Sequence, residues 1–190
     1  QGHHVKSRAL ENHILYNRIE DTQGVNSSRL IDLPNCGFSV VMGNDLLQSA
    51  STSNTNAIGY GPEGCAKRYG KQMQLFVVNN TLINEASAGT LVRNHTDSNI
   101  TVINNVLFGA GSVLIGRGDE INNFREDLRN LQPASWEPPK GSPAIDAAIT
   151  QPAVSGISLT PIAEFQAPAG YTERIRRGEL DAGSREIPAR

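Results

Sequence analysis

One pattern recurs four times in this chain: a short apolar run, a corner that contains asparagine, and a second apolar run. The asparagines that close these corners are Asn17, Asn44, Asn80 and Asn105, at steps of 27, 36 and 25 residues. Periods of this size are typical of stacked supersecondary units. A corner between two strands needs a residue that tolerates positive φ, and asparagine does so more readily than other non-glycine residues. Its amide can also bond the next asparagine along a stack, so the repeat predicts a parallel β-solenoid with an internal asparagine ladder.

Further strand-like segments lie between the corner units and would form a third wall. These segments are Val5–Leu10, Ser28–Leu33, Asn56–Gly61, Thr90–Asn94 and Ser112–Arg117. We therefore expect an all-β fold of about four to five coils with three short strands per coil. The alternative is an antiparallel sandwich of short strands at hairpin spacing. Hairpins favour Asn-Gly or Asp-Gly turns, and this chain contains neither.

The composition changes near residue 130. All seventeen asparagines lie at or before Asn130, whereas eight of the ten prolines lie from Pro133 onward. The change predicts coils over residues 1–118 and a second region over 119–190. In that region Asp119–Leu131 spaces its apolar residues at three and four positions, which predicts one short amphipathic helix. The proline-rich remainder predicts an extended tail that wraps the last coil and covers its strand edges.

The opening of the chain leads to a different expectation. Strand-like sequence begins within four residues, although a solenoid needs a cover over its terminal rung. We therefore expect an upstream segment, a second chain or self-association to cover the first rung. The chain contains no apolar run long enough to span a membrane. A net charge of −2 and the absence of a basic block argue against nucleic acid as a partner.

The two cysteines are relevant to whether the protein is located inside or outside the cell. Cys36 and Cys65 are 29 residues apart, close to one coil length, so a disulfide between neighbouring coils is geometrically possible. They could equally be two buried small apolar residues. Low lysine content, short strands and abundant small polar residues are typical of secreted β-solenoids, so we expect a secreted or extracellular protein. If the protein is exported, the two cysteines should lie near enough to bridge, and the sequence leaves both alternatives open.

Two segments carry a resemblance to a known group. They are Gly2–Asn44, which includes His3-His4-Val5-Lys6-Ser7 and Ile31-Asp32-Leu33-Pro34-Asn35, and Gly141–Ala147, which reads Gly-Ser-Pro-Ala-Ile-Asp-Ala. Both resemble bacterial right-handed parallel β-helix repeat proteins. The resemblance implies a right-handed coil and implies little about chemistry, because this fold carries lyases, hydrolases and adhesive or structural proteins.

A local likeness suggests catalytic residues. The strip that carries it resembles the active-site strip of chondroitinase B and related alginate lyases, and consists of Val5-Lys6-Ser7, Glu11-Asn12-His13, Gln23-Gly24 and Arg29. The resemblance implies Lys6 as base and Arg29, one coil later, as acid or charge stabiliser in β-elimination from a uronate. Positive neighbours would have to lower the pKa of Lys6. Those lyases hold calcium with carboxylates before the lysine, and residues 1–4 offer none. We therefore expect no metal and no cofactor, with calcium as an alternative that the sequence does not support.

Strand alternation complicates this pair. With Val5 and Ser7 inward, Lys6 and Arg8 face outward, whereas Arg29 faces inward if Ile31 does. One strand must then bulge for Lys6 and Arg29 to meet. The alternative is a surface ion pair between outward Arg8 and Asp32, 24 residues apart, worth at most about 1 kcal/mol.

Other side chains complete the sequence-based hypothesis. On the third wall, Tyr60 could stack on a sugar ring, and Arg93 could pair with a carboxylate, with Arg8 beside them. His3 and His4 are adjacent and would face opposite sides, and His95 is isolated in the sequence. The predicted function is a secreted carbohydrate-active β-helix that cleaves or binds acidic glycans. The alternative is a non-catalytic extracellular β-helix that assembles with other protomers.

Overall fold

The computed structural model describes residues 2–21, 27–65, 73–132 and 135–187. Its strands form three parallel sheets of five strands each, and every coil supplies one strand to each sheet. This confirms the parallel β-solenoid with three strands per coil and excludes the antiparallel sandwich. Gln23 and Gly24 of the lyase-like strip lie outside the described residues.

The three sheets are called walls A, B and C in the order in which the chain visits them. Wall A consists of β1 (Val5–Lys6), β4 (Ile31–Leu33), β7 (Asn56–Tyr60), β10 (Thr90–Asn94) and β13 (Ser112–Ile115). Wall B consists of β2 (Glu11–Leu15), β5 (Phe38–Met42), β8 (Leu75–Val78), β11 (Ile100–Ile103) and β14 (Gly118–Ile121). Wall C consists of β3 (Arg18–Glu20), β6 (Asp45–Gln48), β9 (Thr81–Asn84), β12 (Val106–Gly109) and β15 (Phe124–Glu126).

Like residues stack in columns inside the coil. The register aligns Ile31, Ile58 and Val92 in wall A, Val41, Val77 and Val102 in wall B, and Leu46, Leu82 and Leu107 in wall C. All nine side chains are buried in one apolar cluster. Branched aliphatic side chains suit this position because they fill the pleated inner face of each wall.

The predicted asparagine ladder is present at the corner between walls B and C. The side-chain oxygen of Asn44 accepts from the backbone N–H of Asn17 at 2.9 Å, and Asn80 does the same for Asn44 at 3.0 Å. Asn105 accepts from Asn80 at 2.9 Å, and the ladder continues to Asn123, which accepts from Asn105 at 3.0 Å. Each amide thus caps a backbone donor of the neighbouring rung, which would otherwise be buried unpaired.

The positive φ of each corner belongs to the residue before the ladder asparagine. These residues are Tyr16, Gly43, Asn79, Asn104 and Asn122, with φ between 49° and 68°. The expectation that one asparagine performs both tasks is therefore wrong. The first corner residue has the positive φ that bends the chain, and the amide of the second residue is part of the ladder.

The helix predicted over Asp119–Leu131 is also wrong. These residues lie in β14, β15 and a short 3₁₀ helix at Leu128–Asn130, so coil strands continue past residue 118. Ile121 aligns with Ile103, and Phe124 aligns with Val106. The apolar residues have helical spacing because a two-residue corner separates two short strands, and the doublet Asn122-Asn123 is that corner.

The C-terminal segment lies along the side of the solenoid, against the corner between walls B and C. Asn79, Asn104 and Asn122 donate their side-chain amides to the carbonyls of Asp181, Ile149 and Ala147, at 3.0, 2.8 and 2.7 Å. The three corner asparagines are thus an outer row that binds the tail. The composition predicts a tail that wraps the last coil, whereas these contacts follow the coil axis.

The tail ends near the first two coils. There it forms an antiparallel hairpin of β16 (Ala163–Gln166) and β17 (Gly170–Glu173). Asp45 on β6 is fully buried and accepts from Ser184 Oγ at 2.6 Å, from Arg18 Nη2 at 2.9 Å and from Arg185. This carboxylate joins the tail to wall C and fixes the hairpin beside the first coil.

Candidate functional site

A column of outward side chains on wall A contains the predicted site. The register aligns Lys6 with Asp32, Asp32 with Gly59, Gly59 with Arg93, and Arg93 with Ile115. Successive rungs of a parallel sheet are about 4.8 Å apart, so these positions form a row along the coil axis. Charged side chains therefore follow one another on the outer surface of wall A.

Asp32 is the centre of this group. Its carboxylate is almost fully buried, yet it contacts three basic side chains: Lys6 Nζ at 3.1 Å, Arg29 Nη1 at 3.0 Å and His3 Nε2 at 3.4 Å. The predicted pair of Lys6 and Arg29 is thus brought together through a shared carboxylate. A buried charge of this kind persists because it is paired on several sides.

Arg29 reaches the outer surface without a bulge. Strand β4 begins at Ile31, and the preceding Leu30 is a buried bend residue, so strand alternation does not extend back to Arg29. The arginine side chain lies against Gly59 on the next rung, where an added Cβ would come within 2.6 Å of its Cδ and Nε. The absence of a side chain at Gly59 makes this position possible.

Glu63 closes the group on the other side of Lys6. Its carboxylate contacts Lys6 Nζ at 3.1 Å and Arg8 Nη1 at 2.6 Å. The hydrogen bond from Arg8 lowers the pKa of Glu63 most, and the hydrogen bond from Lys6 adds to this effect, so that the pKa is about 2. In return, the hydrogen bonds to Glu63 and Asp32 raise the pKa of Lys6. The lyase hypothesis requires positive neighbours that lower the pKa of Lys6, whereas the side chains in contact with Lys6 are carboxylates that raise it.

A disulfide holds the turn that carries Glu63. Cys36 and Cys65 are bonded, with a Cα–Cα distance of 5.1 Å, which confirms the bridge between neighbouring coils. Asn35 Nδ2 also donates to the carbonyl of Gly64 at 3.3 Å. The bridge and this hydrogen bond hold the two residues that follow Glu63 against the preceding coil, which positions Glu63 to reach Lys6.

Arg93 and two histidines extend the group. The side chain of Arg93 is exposed and makes no hydrogen bond or ion pair with any other residue that the structure describes. Burial, followed by the charges of Arg93 and Arg29, lowers the pKa of His95. Burial also lowers the pKa of His3, against the opposing effect of Asp32. His3 Nδ1 accepts the backbone N–H of Arg29 at 3.1 Å, so its proton resides on Nε2, facing Asp32.

Tyr60 does not line this surface, which corrects its assignment as a sugar-stacking residue. The side chain is fully buried, and its hydroxyl donates to the carbonyl of Gly37 at 2.7 Å. Burial raises its pKa. The physical reason is alternation along β7: Gly59 faces outward, and Tyr60 therefore faces the core.

Sequence reasoning misses the residues that organise the site. It suggests Asp32 only as a partner for Arg8, does not single out Glu63 and leaves His95 isolated. Asp32 could have been identified from strand alternation, because it lies between the inward residues Ile31 and Leu33 and therefore faces outward. Glu63 could have been identified from its position two residues before Cys65, because a disulfide to Cys36 brings this segment close to the neighbouring coil. Within the described ranges, no group of three His, Cys, Asp or Glu side chains is arranged to hold a metal ion.

Comparison with other proteins adds no assignment to this site. No protein-family model, no curated protein and no solved structure matches the chain. Among the residues that are described, no helix has the length and apolar character needed to cross a membrane. Function is therefore inferred from the contacts of wall A.

Proposed function

We propose that this chain binds an acidic, uronate-containing polysaccharide along the outer surface of wall A. The observation that carries the proposal is a surplus of positive charge in the group of side chains on and around the outer column of wall A. Four cationic side chains face two carboxylates there, namely Lys6, Arg8, Arg29 and Arg93 against Asp32 and Glu63. With the histidines neutral, two positive charges remain for a ligand.

The positions of Arg29 and Arg93 favour a ligand that carries carboxylates. Asp32 holds Arg29 against Gly59, and Arg93 follows on the next rung with its side chain exposed. A guanidinium presents paired donors that match a carboxylate, and a fixed side chain loses little entropy on binding. A polymer that carries carboxylates can contact both arginines as it follows the coil axis.

The same contacts favour binding over β-elimination. A lysine that removes the proton at C5 must be neutral, whereas Asp32 and Glu63 stabilise the charged form of Lys6. We therefore expect no unsaturated uronate from polyuronates or dermatan-type glycans, as judged by ultraviolet absorbance. The pKa of His95 is lowered, which favours the unprotonated side chain that a base requires. If absorbance does rise, His95 is therefore the first residue to substitute.

The binding test uses polygalacturonate and dermatan sulfate in titration calorimetry at low salt. We expect Arg93→Ala to weaken binding about fivefold or more without changing the unfolding midpoint, because Arg93 is exposed. Arg129→Ala is the matched control, since Arg129 is an exposed arginine outside wall A. Equal affinity of wild type and Arg93→Ala, or no binding of either polymer, would contradict the proposal.

Export is part of this proposal. A disulfide between Cys36 and Cys65 is retained in an oxidising compartment and is rare in reducing ones. Uronate-containing polysaccharides also occur outside cells. Fractionation of the producing cell should find the protein with the bridge intact in the extracytoplasmic fraction.

A second candidate function is assembly into a structural or adhesive β-helix. What supports it is the open edge of the last rung, where β13, β14 and β15 each end a sheet in the described part of the chain. Ile115 and Ile121 on that rung are large exposed apolar residues. Open edges of this kind pair with strands of other chains. Light scattering over a hundredfold concentration range distinguishes the two candidates, because assembly raises the mass and glycan binding does not require it.

A further inference from the structure

A groove lies between the first coil and the tail hairpin, and none of its lining residues belongs to wall A. It has a volume of about 510 Å³, and its walls include Tyr16, Arg18, Glu20, Phe165 and Tyr171. This volume is within the range of small-molecule sites. The groove is distinct from wall A because its residues belong to the corner between walls B and C and to β16 and β17.

The hairpin presents two aromatic side chains to this groove. Phe165 and Tyr171 are directly opposite in the register of β16 and β17, so both side chains are on one face of the hairpin. The guanidinium of Arg18 lies 4.8 Å from the centre of the Phe165 ring. Tyr171 remains 73% exposed, which leaves the face of a large aromatic ring available to a ligand.

Several contacts fix the hairpin against the first coil. The hydroxyl of Tyr16 accepts the backbone N–H of Ile162 at 3.1 Å, and Arg185 Nη1 donates to the carbonyl of Phe165 at 2.8 Å. Because Arg185 is itself bound to buried Asp45, the hairpin is tied to wall C through side chains. The two sides of the groove are therefore held in position before any ligand binds.

The charges in the groove compensate one another. Arg18 makes two hydrogen bonds to Asp45, at 3.1 and 2.9 Å, and lies 3.7 Å from Glu20. No unpaired cation faces this groove among the described lining residues, whereas Arg93 is such a cation on wall A. The groove therefore favours an uncharged ligand that offers both an apolar face and hydrogen-bonding groups.

We propose that this groove binds a neutral pyranose ring, stacked on Tyr171 and hydrogen-bonded through its hydroxyls to Glu20 and Asn17. A pyranose has an apolar face of C–H groups that packs on an aromatic ring, and Tyr combines a large contact area with a polar tip. Exposed Glu20 and Asn17 supply acceptors at the rim, namely the carboxylate of Glu20 and Oδ1 of Asn17, whose Nδ2 already donates to Leu15 and Asn44. This site does not depend on glycan binding at wall A.

The test is a titration of the full chain with cellohexaose and mannohexaose. The chain contains one tryptophan, Trp136, whose ring lies 5.0 Å from the Arg18 guanidinium, so its fluorescence reports on the groove. We expect at least one hexaose to bind, Tyr171→Ala to weaken binding about tenfold, and Tyr171→Phe to stay within about twofold. Ile175→Ala is the control, because Ile175 is exposed beside the hairpin and does not line the groove.

Three outcomes would overturn the proposal. The first is that neither neutral hexaose changes the fluorescence or produces heat in calorimetry. The second is that Tyr171→Ala binds as tightly as wild type. The third is that hexagalacturonate binds more tightly than both neutral sugars and loses this binding in Tyr171→Ala. Arg93→Ala should leave binding of the neutral hexaoses unchanged, so failure at wall A and failure at this groove are distinguishable.

Discussion

The side chain of Arg29 lies on the outer face of Gly59, one rung further along wall A. A methyl group at Gly59 would come within 2.6 Å of both Cδ and Nε of the arginine. Arg29 is thus held between Asp32, which binds its Nη1, and a bare patch of backbone. This relationship joins two neighbouring coils and fixes one guanidinium of the proposed glycan surface.

Gly59→Ala should displace Arg29 and weaken glycan binding while the coil remains folded. Gly59 does not have positive φ, so alanine fits the backbone, and the steric conflict falls on the arginine. We expect a loss of polygalacturonate affinity similar to that of Arg29→Ala. Gly170→Ala is the matched control, since an added Cβ there meets only one atom, at 3.8 Å. Unchanged affinity in Gly59→Ala would show that the position of Arg29 is irrelevant to binding.

Asp32→Asn should destabilise the protein by about 1.5–3 kcal/mol, the usual worth of a hydrogen bond to a charged group. The neutral amide leaves Lys6 and Arg29 without the negative charge that both contact. Urea denaturation measures the change, with exposed Asp97→Asn as the control. Equal midpoints for Asp32→Asn and wild type would mean that Asp32 does not stabilise the site.

Glu63 should make the stability depend on pH in the acid range. Arg8 and Lys6 lower its pKa from 4.5 to about 2 in the folded chain. A depressed carboxyl pKa contributes stability above the unfolded value, and this contribution is lost as the pH falls from about 4.5 through 2. Glu63→Gln should therefore flatten that part of the curve of unfolding free energy against pH. Glu85→Gln, also at an exposed glutamate, should leave the curve unchanged.

The repeat made the coil predictable from sequence because each corner uses a local device. The doublets at residues 79–80 and 104–105 are short-range signals, and their period specifies the stacking. The same logic applied to Asn122-Asn123 would have predicted the fifth member of the ladder. The apolar spacing around that doublet matched a helix as well, because strands of three or four residues separated by two-residue corners mimic a helical period.

The site and the tail were less predictable because they depend on contacts between distant residues. Asp45 meets Arg185 across 140 residues, and no local pattern encodes that pairing. Arg29 departs from strand alternation because a buried bend at Leu30 separates it from β4. Glu63 approaches Lys6 through the turn that the disulfide fixes, across 57 residues. In each case the contact depends on the tertiary fold, so local sequence alone does not predict it.

Adjacent asparagines at one corner should have separable effects. Asn80→Ala removes the acceptor of two N–H groups of Asn44 in the core and should cost about 2 kcal/mol or more of unfolding free energy. Asn79→Gly keeps the positive φ and loses the bond to the carbonyl of Asp181. It should cost less than about 1 kcal/mol of unfolding free energy and increase tryptic cleavage in the tail. Equal unfolding costs for the two substitutions, with no faster tail cleavage, would contradict this division of tasks.

Removal of the disulfide should weaken the fold and release the turn that carries Glu63. The bridge closes a loop of 29 residues, for which chain entropy predicts about 3–4 kcal/mol of stabilisation. In the double substitution Cys36→Ser with Cys65→Ser, we expect a lower denaturation midpoint. We also expect Glu63→Gln to cost less stability in that background, because its turn is no longer fixed. A thiol assay should find no free cysteine in the unreduced wild type. One or more free thiols per chain, or an unchanged midpoint after reduction, would contradict a stabilising bridge.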